Sequence, residues 1–248
     1  MPSERAATAT SEPVRVIIRH KAGTRSDVLT RLGSKGGLLK RQHNSFGAVT
    51  LEMPLDAAKL IAAYDADVLS ISLDVPVSVD STFVMDGTAH SGTFDAQFLR
   101  KTLGIRSSDL AASVGVAIID SGIYPAADLA GSIRAFYDFT GGTAVATPPS
   151  DDYGHGTHIA GLIAGTGAQS NGKYPGVAAG ARLIGLKVLD HQGAGYTSDV
   201  IAAIDFAVAN KAALGIDIIN LSLGHPIFES AATDPLVQAV ERASAAGI

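Results

Sequence analysis

The chain has 248 residues and a mass of 25.3 kDa, enough for one large domain or two smaller ones around a sizeable core. Apolar residues make up 46% and mean hydropathy is +0.24, which excludes a disordered chain. A net charge of −5 with no long basic run argues against nucleic acid as a partner, and the lack of cysteine excludes disulfides, thiolate zinc sites and a cysteine nucleophile within it.

No stretch reaches the ~18 uninterrupted apolar residues of a membrane span, so no membrane partner is expected. The N-terminus, MPSERAATATSEP, lacks the apolar segment of a signal peptide and reads as a flexible tail over residues 1–13. Residues 14–75 then read as one small domain. Val14–Arg19 is β-rich, and Val28, Leu29 and Leu32 have helical spacing within Ser26 to Leu32. Leu38–His43 and Phe46–Met53 read as a hairpin joined at Asn44-Ser45. Leu55–Tyr64 carries Leu55, Ala58, Ile61 and Ala62 on one helical face, and Val68–Leu73 alternates as a strand. The order β-α-β-β-α-β is the ferredoxin-like pattern.

Residues 76–108 hold few periodic signals. Ser81, Thr82, Asp86, Gly87, Ser91, Gly92 and Thr93 make a polar stretch that reads as a linker and the start of a second region. Residues 109–248 have a different texture. Val114–Ile119 is a continuous apolar run, as in a strand buried on both faces, and Ala181–Leu189 and Ile216–Leu221 are further strands. Helical patterns cover His155 to Ala164, Ser198 to Ala213 and Pro235 to Ala246, with Gly215 and Gly247 where C-terminal caps belong. This alternation implies α/β architecture, a doubly wound parallel sheet preceded by the small α+β domain. Ile248 is expected to open a further strand.

In an open α/β sheet, chemistry gathers at the carboxyl ends of the strands. Asp120 takes that place directly after the first apolar run, although Asp120-Ser121-Gly122 alone favours a capped turn, since the triplet is common in loops. The second candidate is His155, which opens a helix of small residues thirty-five positions later, room for a crossover and return. Asp120 can then accept from Nδ1–H of His155 and leave Nε2 as a general base. His155 and His158 also stand at metal-ligand spacing, but the glutamate of an HExxH helix is absent and no third ligand is evident, so no metal is expected. His158 reads as a buried structural histidine.

VAIIDSGI and GHGTHIAG together resemble the aspartate and histidine blocks of the subtilisin-like serine proteases. Further blocks agree: Gly176-Val177-Ala178, Lys187-Val188-Leu189, Gly193-Ala194-Gly195 and Ile219-Asn220-Leu221-Ser222-Leu223-Gly224. Alanine stands at 179 where the family has proline. The resemblance runs from about Gly115 to Ile248, and residues 14–75 resemble the family propeptide, an inhibitory folding module. It implies a serine endopeptidase acting on polypeptides, extracellular, with the propeptide held against the catalytic domain. Asp120 would stabilise the imidazolium, and His155 would be the general base and then acid. Ser222, Leu223 and Gly224 would form one edge of the substrate cleft and Gly193, Ala194 and Gly195 the other, with an extended peptide added between them.

The family's nucleophile lies in a Gly-Thr-Ser block, which does not occur in these residues, and neither does G-x-S-x-G. The chain is therefore read as the N-terminal part of such an enzyme, without proteolytic activity of its own. The alternative is a non-catalytic protein whose propeptide-like domain inhibits or chaperones a protease. A metal hydrolase is a third reading. No cofactor is expected: Gly165 to Gly176, where some family members carry a calcium loop, offers Gln169 and Asn171 but no carboxylate.

Overall fold

The computed structural model describes residues 12–79, 100–106 and 113–248. Most of the tail and most of the polar linker, including Ser81 to Thr93, lie outside the described residues. The chain divides into two compact units, Met1–Val75 and Pro76–Ile248.

The first unit runs β1 (Pro13–His20), α1 (Arg25–Ser34), β2 (Leu38–His43), β3 (Ala48–Pro54), α2 (Leu55–Tyr64) and β4 (Val68–Leu73). Its four strands form one antiparallel sheet in the order β2-β3-β1-β4. Alternate residues of β1 and β3, namely Val16, Ile18, Val49, Leu51 and Met53, face a core that also takes Val28 and Leu32 of α1 and Ala58 and Ile61 of α2. Periods of two and 3.6 thus converge on one buried layer. Each fully buried side chain of this size contributes about 1.5–3 kcal/mol. The hairpin turn is wider than the sequence suggests, because β3 begins at Ala48 and four residues span the corner. Arg31 of α1 closes the helical side, donating to Asp65 at 2.8 Å and to Asp67 at 2.9 Å.

The second unit opens with a strand inside the segment read as a linker, β5 (Pro76–Val79). Then follow β6 (Gly115–Asp120), β7 (Ile133–Asp138), β8 (Val145–Ala146), α3 (His155–Ala164), β9 (Arg182–Lys187), β10 (Ala194–Tyr196), α4 (Thr197–Ala209), α5 (Lys211–Leu214), β11 (Ile218–Leu221), β12 (Leu223–Gly224) and α6 (Pro235–Ala245). The main sheet has the order β11-β6-β9-β7-β8, parallel except for the last pair. Every residue of β6 is buried. Val116 and Ile118 face α3 through Ala160 and Ala164, while Ala117 and Ile119 on the opposite face are equally buried. That two-sided burial is why this strand reads as an unbroken apolar run.

Further features differ from the sequence expectation. β7 and β8 were not anticipated, since Arg134 interrupts the apolar pattern of β7. The long helix expected over 198–213 is two helices. Asn210 breaks it by turning its side-chain amide back onto the Phe206 carbonyl at 2.8 Å, competing with the helical ladder. Arg100, also in the expected linker, is buried and donates to the carbonyls of Gly176 and Val177, at 3.2 and 2.9 Å. Gly215 and Gly247 do adopt the left-handed cap conformation.

Candidate active site

Asp120 ends β6, and its register partner across the sheet is Lys187 at the end of β9. The carboxylate is buried, with 1% of the residue exposed. His155 is the first residue of α3 and keeps 24% of its side chain exposed. Its Nδ1 lies 2.8 Å from Oδ1 and 2.9 Å from Oδ2 of Asp120. A carboxylate only accepts, so in the neutral ring Nδ1 carries the hydrogen and Nε2 the lone pair. The result is a fixed tautomer on a ring with one buried and one open edge, an arrangement suited to accepting a proton at Nε2.

Close approach of α3 to β6 makes this contact possible. A Cβ on Gly156 would stand 2.1 Å from the Gly122 carbonyl oxygen and 3.1 Å from the Asp120 side chain, so only glycine fits. The first turn of α3 leaves backbone N–H groups without helical partners. Ser121 and Asp151 supply them. Gly156 N–H donates to Ser121 Oγ at 3.0 Å, and Thr157 N–H to Asp151 Oδ2 at 2.9 Å. Burial works to raise the Asp151 pKa, but the Thr157 hydroxyl, the Gly154 and Thr157 N–H groups and the Ser121 hydroxyl together hold it below the usual carboxylate range. Lys187 is buried, and its Nζ donates to the carbonyls of Ser121 at 2.6 Å and Leu189 at 2.8 Å.

The two expected cleft edges flank one extended segment. β10 contains Ala194 and Gly195, β12 is Leu223–Gly224, and β5 lies between them in a three-stranded sheet of order β10-β5-β12. Ser78 stands opposite both Ala194 and Gly224, Val77 opposite Gly195 and Val79 opposite Leu223. Val77 and Val79 are buried, at 1% and 6% exposure, while Pro76 and Ser78 face outward. Gly193 precedes β10 with φ +73°, and the Tyr153 ring covers the space a side chain would need, 2.6 Å from an ideal Cβ. Tyr153 thereby joins the histidine loop to the β10 edge. Ser222 donates its hydroxyl to Asn220 Oδ1 at 3.0 Å.

His158 is a correction: its side chain is exposed, not buried, because it lies on the α3 face away from the sheet. Among the described residues no group of three or more His, Asp or Glu side chains is placed to hold a metal. Ser121, Asp151 and Lys187 were not singled out in the sequence as supports of the site. The signal for Asp151 was its position, an acidic residue just before a helix that lacks its own capping side chain.

The chain belongs to the subtilase family, whose model matches residues 111–248. It is 44% identical over 140 residues to serine protease AprX of Bacillus subtilis, covering 54% of this chain and 31% of that protein. It is 32% identical over 232 residues to the minor extracellular protease Epr of the same organism, covering 90% of this chain and 33% of Epr. The chain thus spans about a third of the length of these relatives. Two solved structures share the fold. The epidermin leader peptide processing serine protease of Staphylococcus aureus superposes with a TM-score of 0.71 at 20% identity, over 96% of this chain and 58% of that one. Fervidolysin of Fervidobacterium pennivorans does so with 0.72 at 18%, over 97% and 39%.

Proposed function

We propose that this chain is the part of a subtilisin-like serine endopeptidase that carries the orienting aspartate and the general base, with residues 14–75 as its propeptide. The observation that carries the reading is the contact of His155 Nδ1 with both oxygens of buried Asp120. In the reaction, Nε2 of His155 takes the proton of a serine hydroxyl as that oxygen attacks the substrate carbonyl, then returns a proton to the leaving amine. Asp120 holds the tautomer and stabilises the imidazolium. No Gly-Thr-Ser block occurs in these residues, so the 248-residue chain by itself is expected to leave casein intact.

The substrate is an extended polypeptide added between β10 and β12. The pairing of β5 with both edges supports this, since the chain's own segment follows the path a peptide substrate would take. Burial of Val77 and Val79 suits apolar side chains at alternate substrate positions. β5 follows β4 in the chain after only Asp74 and Val75. An extracellular site of action is in keeping with the name of Epr, and among the described residues no helix is long and apolar enough to cross a membrane.

The test is casein hydrolysis by the protein as its source cell makes it, unsubstituted and with His155→Ala. Hydrolysis that a serine-directed sulfonyl fluoride blocks, and that falls at least about a thousandfold in the variant, is the expected result. If no hydrolysis occurs and the protein instead inhibits an added subtilisin-like protease, the non-catalytic inhibitor reading replaces this one.

A further inference from the structure

We propose that Asp151, acting through Ser121, is the positioning residue that holds His155 against Asp120; this rests on the reading of that pair as orienter and base. Asp120 and His155 belong to two separate pieces of chain, the β6 end at 120–124 and the turn at 151–157. Asp151 is the point where the two are joined. Its Oδ1 accepts from the Ser121 hydroxyl at 2.9 Å and from Tyr153 and Gly154 N–H at 3.2 and 2.8 Å. Its Oδ2 accepts from the backbone and hydroxyl of Thr157. The Thr157 hydroxyl in turn accepts from Tyr124 N–H at 2.8 Å, a second tie to the β6 side. The backbone of Asp151 bridges to Gly122.

Ser121 transmits this hold to the pair. Its hydroxyl has one hydrogen, given to Asp151, and it accepts Gly156 N–H, so the first turn of α3 and the Asp151 carboxylate fix its orientation together. Its N–H donates to Asp120 Oδ1 at 2.7 Å, the same oxygen that meets His155 at 2.8 Å. Its carbonyl is pinned by Lys187. Ser121 is fully buried. A residue serving only as a helix cap would engage α3 alone. Asp151 also reaches the residue that orients the Asp120 carboxylate.

The experiment is NMR of the ¹⁵N-labelled 248-residue chain, reading the downfield His155 Nδ1–H resonance and its exchange with water. Asp151→Asn keeps the shape, but either orientation of the amide turns its NH2 toward backbone N–H groups. Ser121→Ala leaves the Asp151 contacts to Gly154 and Thr157 in place and removes the link together with the acceptor of Gly156 N–H, so it still tests the connection if Asp151→Asn does not fold. Ala164→Gly, in the last turn of α3, lowers helix stability without touching the network. The expected result is a sharp resonance in the unsubstituted chain and in Ala164→Gly. In Ser121→Ala and Asp151→Asn it is broadened or lost, with exchange at least about tenfold faster. A resonance equally sharp and slow in Ser121→Ala and Asp151→Asn overturns the positioning role alone. Its absence from the folded, unsubstituted chain overturns the Asp120–His155 reading and the proposal with it.

Discussion

Asp120 meets His155 with both carboxylate oxygens, at 2.8 and 2.9 Å, and does so from a fully buried position. An asparagine at 120 would offer one acceptor and one donor in the same space. If its amide donates, Nδ1 becomes the acceptor and the ring hydrogen moves to Nε2, the wrong nitrogen for a base. Imidazole ¹⁵N shifts of Asp120→Asn are expected to report an Nε2–H tautomer, against Nδ1–H in the unsubstituted chain. An unchanged tautomer would mean that Asp120 does not set it.

Gly156→Ala tests the close packing of α3 on β6. The new methyl would meet the Gly122 carbonyl, a backbone atom that the Asp151 bridge and the Ile123 N–H to Ser150 contact hold in place. A loss of about 3 kcal/mol in urea unfolding is expected, at the upper end for overpacking. The His155 Nδ1–H resonance should disappear as the helix is pushed outward. A cost below about 0.5 kcal/mol would show that the approach is looser than described.

Arg100 is expected to be a structural anchor of the second unit. It is buried and satisfies the carbonyls of Gly176, Val177 and Arg106. Arg100→Ala would leave those acceptors without their donor, at a cost of about 3 kcal/mol. Arg100→Lys keeps the charge but loses the planar fork and should recover less than half of that. Chemical denaturation of the two variants checks both values.

The pH dependence follows from Asp151. Its folded pKa is depressed, so its contribution is complete above the unfolded value of about 3.9 and is lost as pH falls through the lower folded value. Asp190 behaves in the same direction: burial works to raise it, but the N–H groups of Gln192 and Ala194 outweigh burial. The second unit should therefore lose stability progressively below about pH 4, and Asp151→Asn should flatten that slope while lowering stability at pH 6. Urea midpoints at several pH values decide this, and a slope unchanged in the variant would contradict it.

The sequence was most legible where one physical demand dominates. β6 is apolar throughout because both its faces are covered, and α2 and α3 have the bounds that their spacing implied. Asp120 alone reads as a capped turn; it could be singled out only together with His155, which opens a small-residue helix after room for a crossover and return. β5 was less visible: Pro76-Val77-Ser78-Val79 is four residues long, and its pairing partners lie more than a hundred positions away. The roles of Ser121, Asp151 and Lys187 come from contacts between distant segments. Serine, aspartate and lysine are ordinary in loops and strand ends, so nothing local marked them.

The most direct test of the central claim concerns β5 between the two edges. The chain has no cysteine, so Ser78→Cys with Ala194→Cys introduces the only two thiols. Directly opposed antiparallel residues have Cα atoms about 4.5–5.5 Å apart, within the range a disulfide spans. Mild oxidation of this variant should close an intramolecular disulfide rapidly and almost completely, seen as a gel shift reversed by reductant. A control with Ser78→Cys and the exposed Leu162→Cys should not close. Equal, slow oxidation of both pairs would contradict a cleft filled by the chain's own strand.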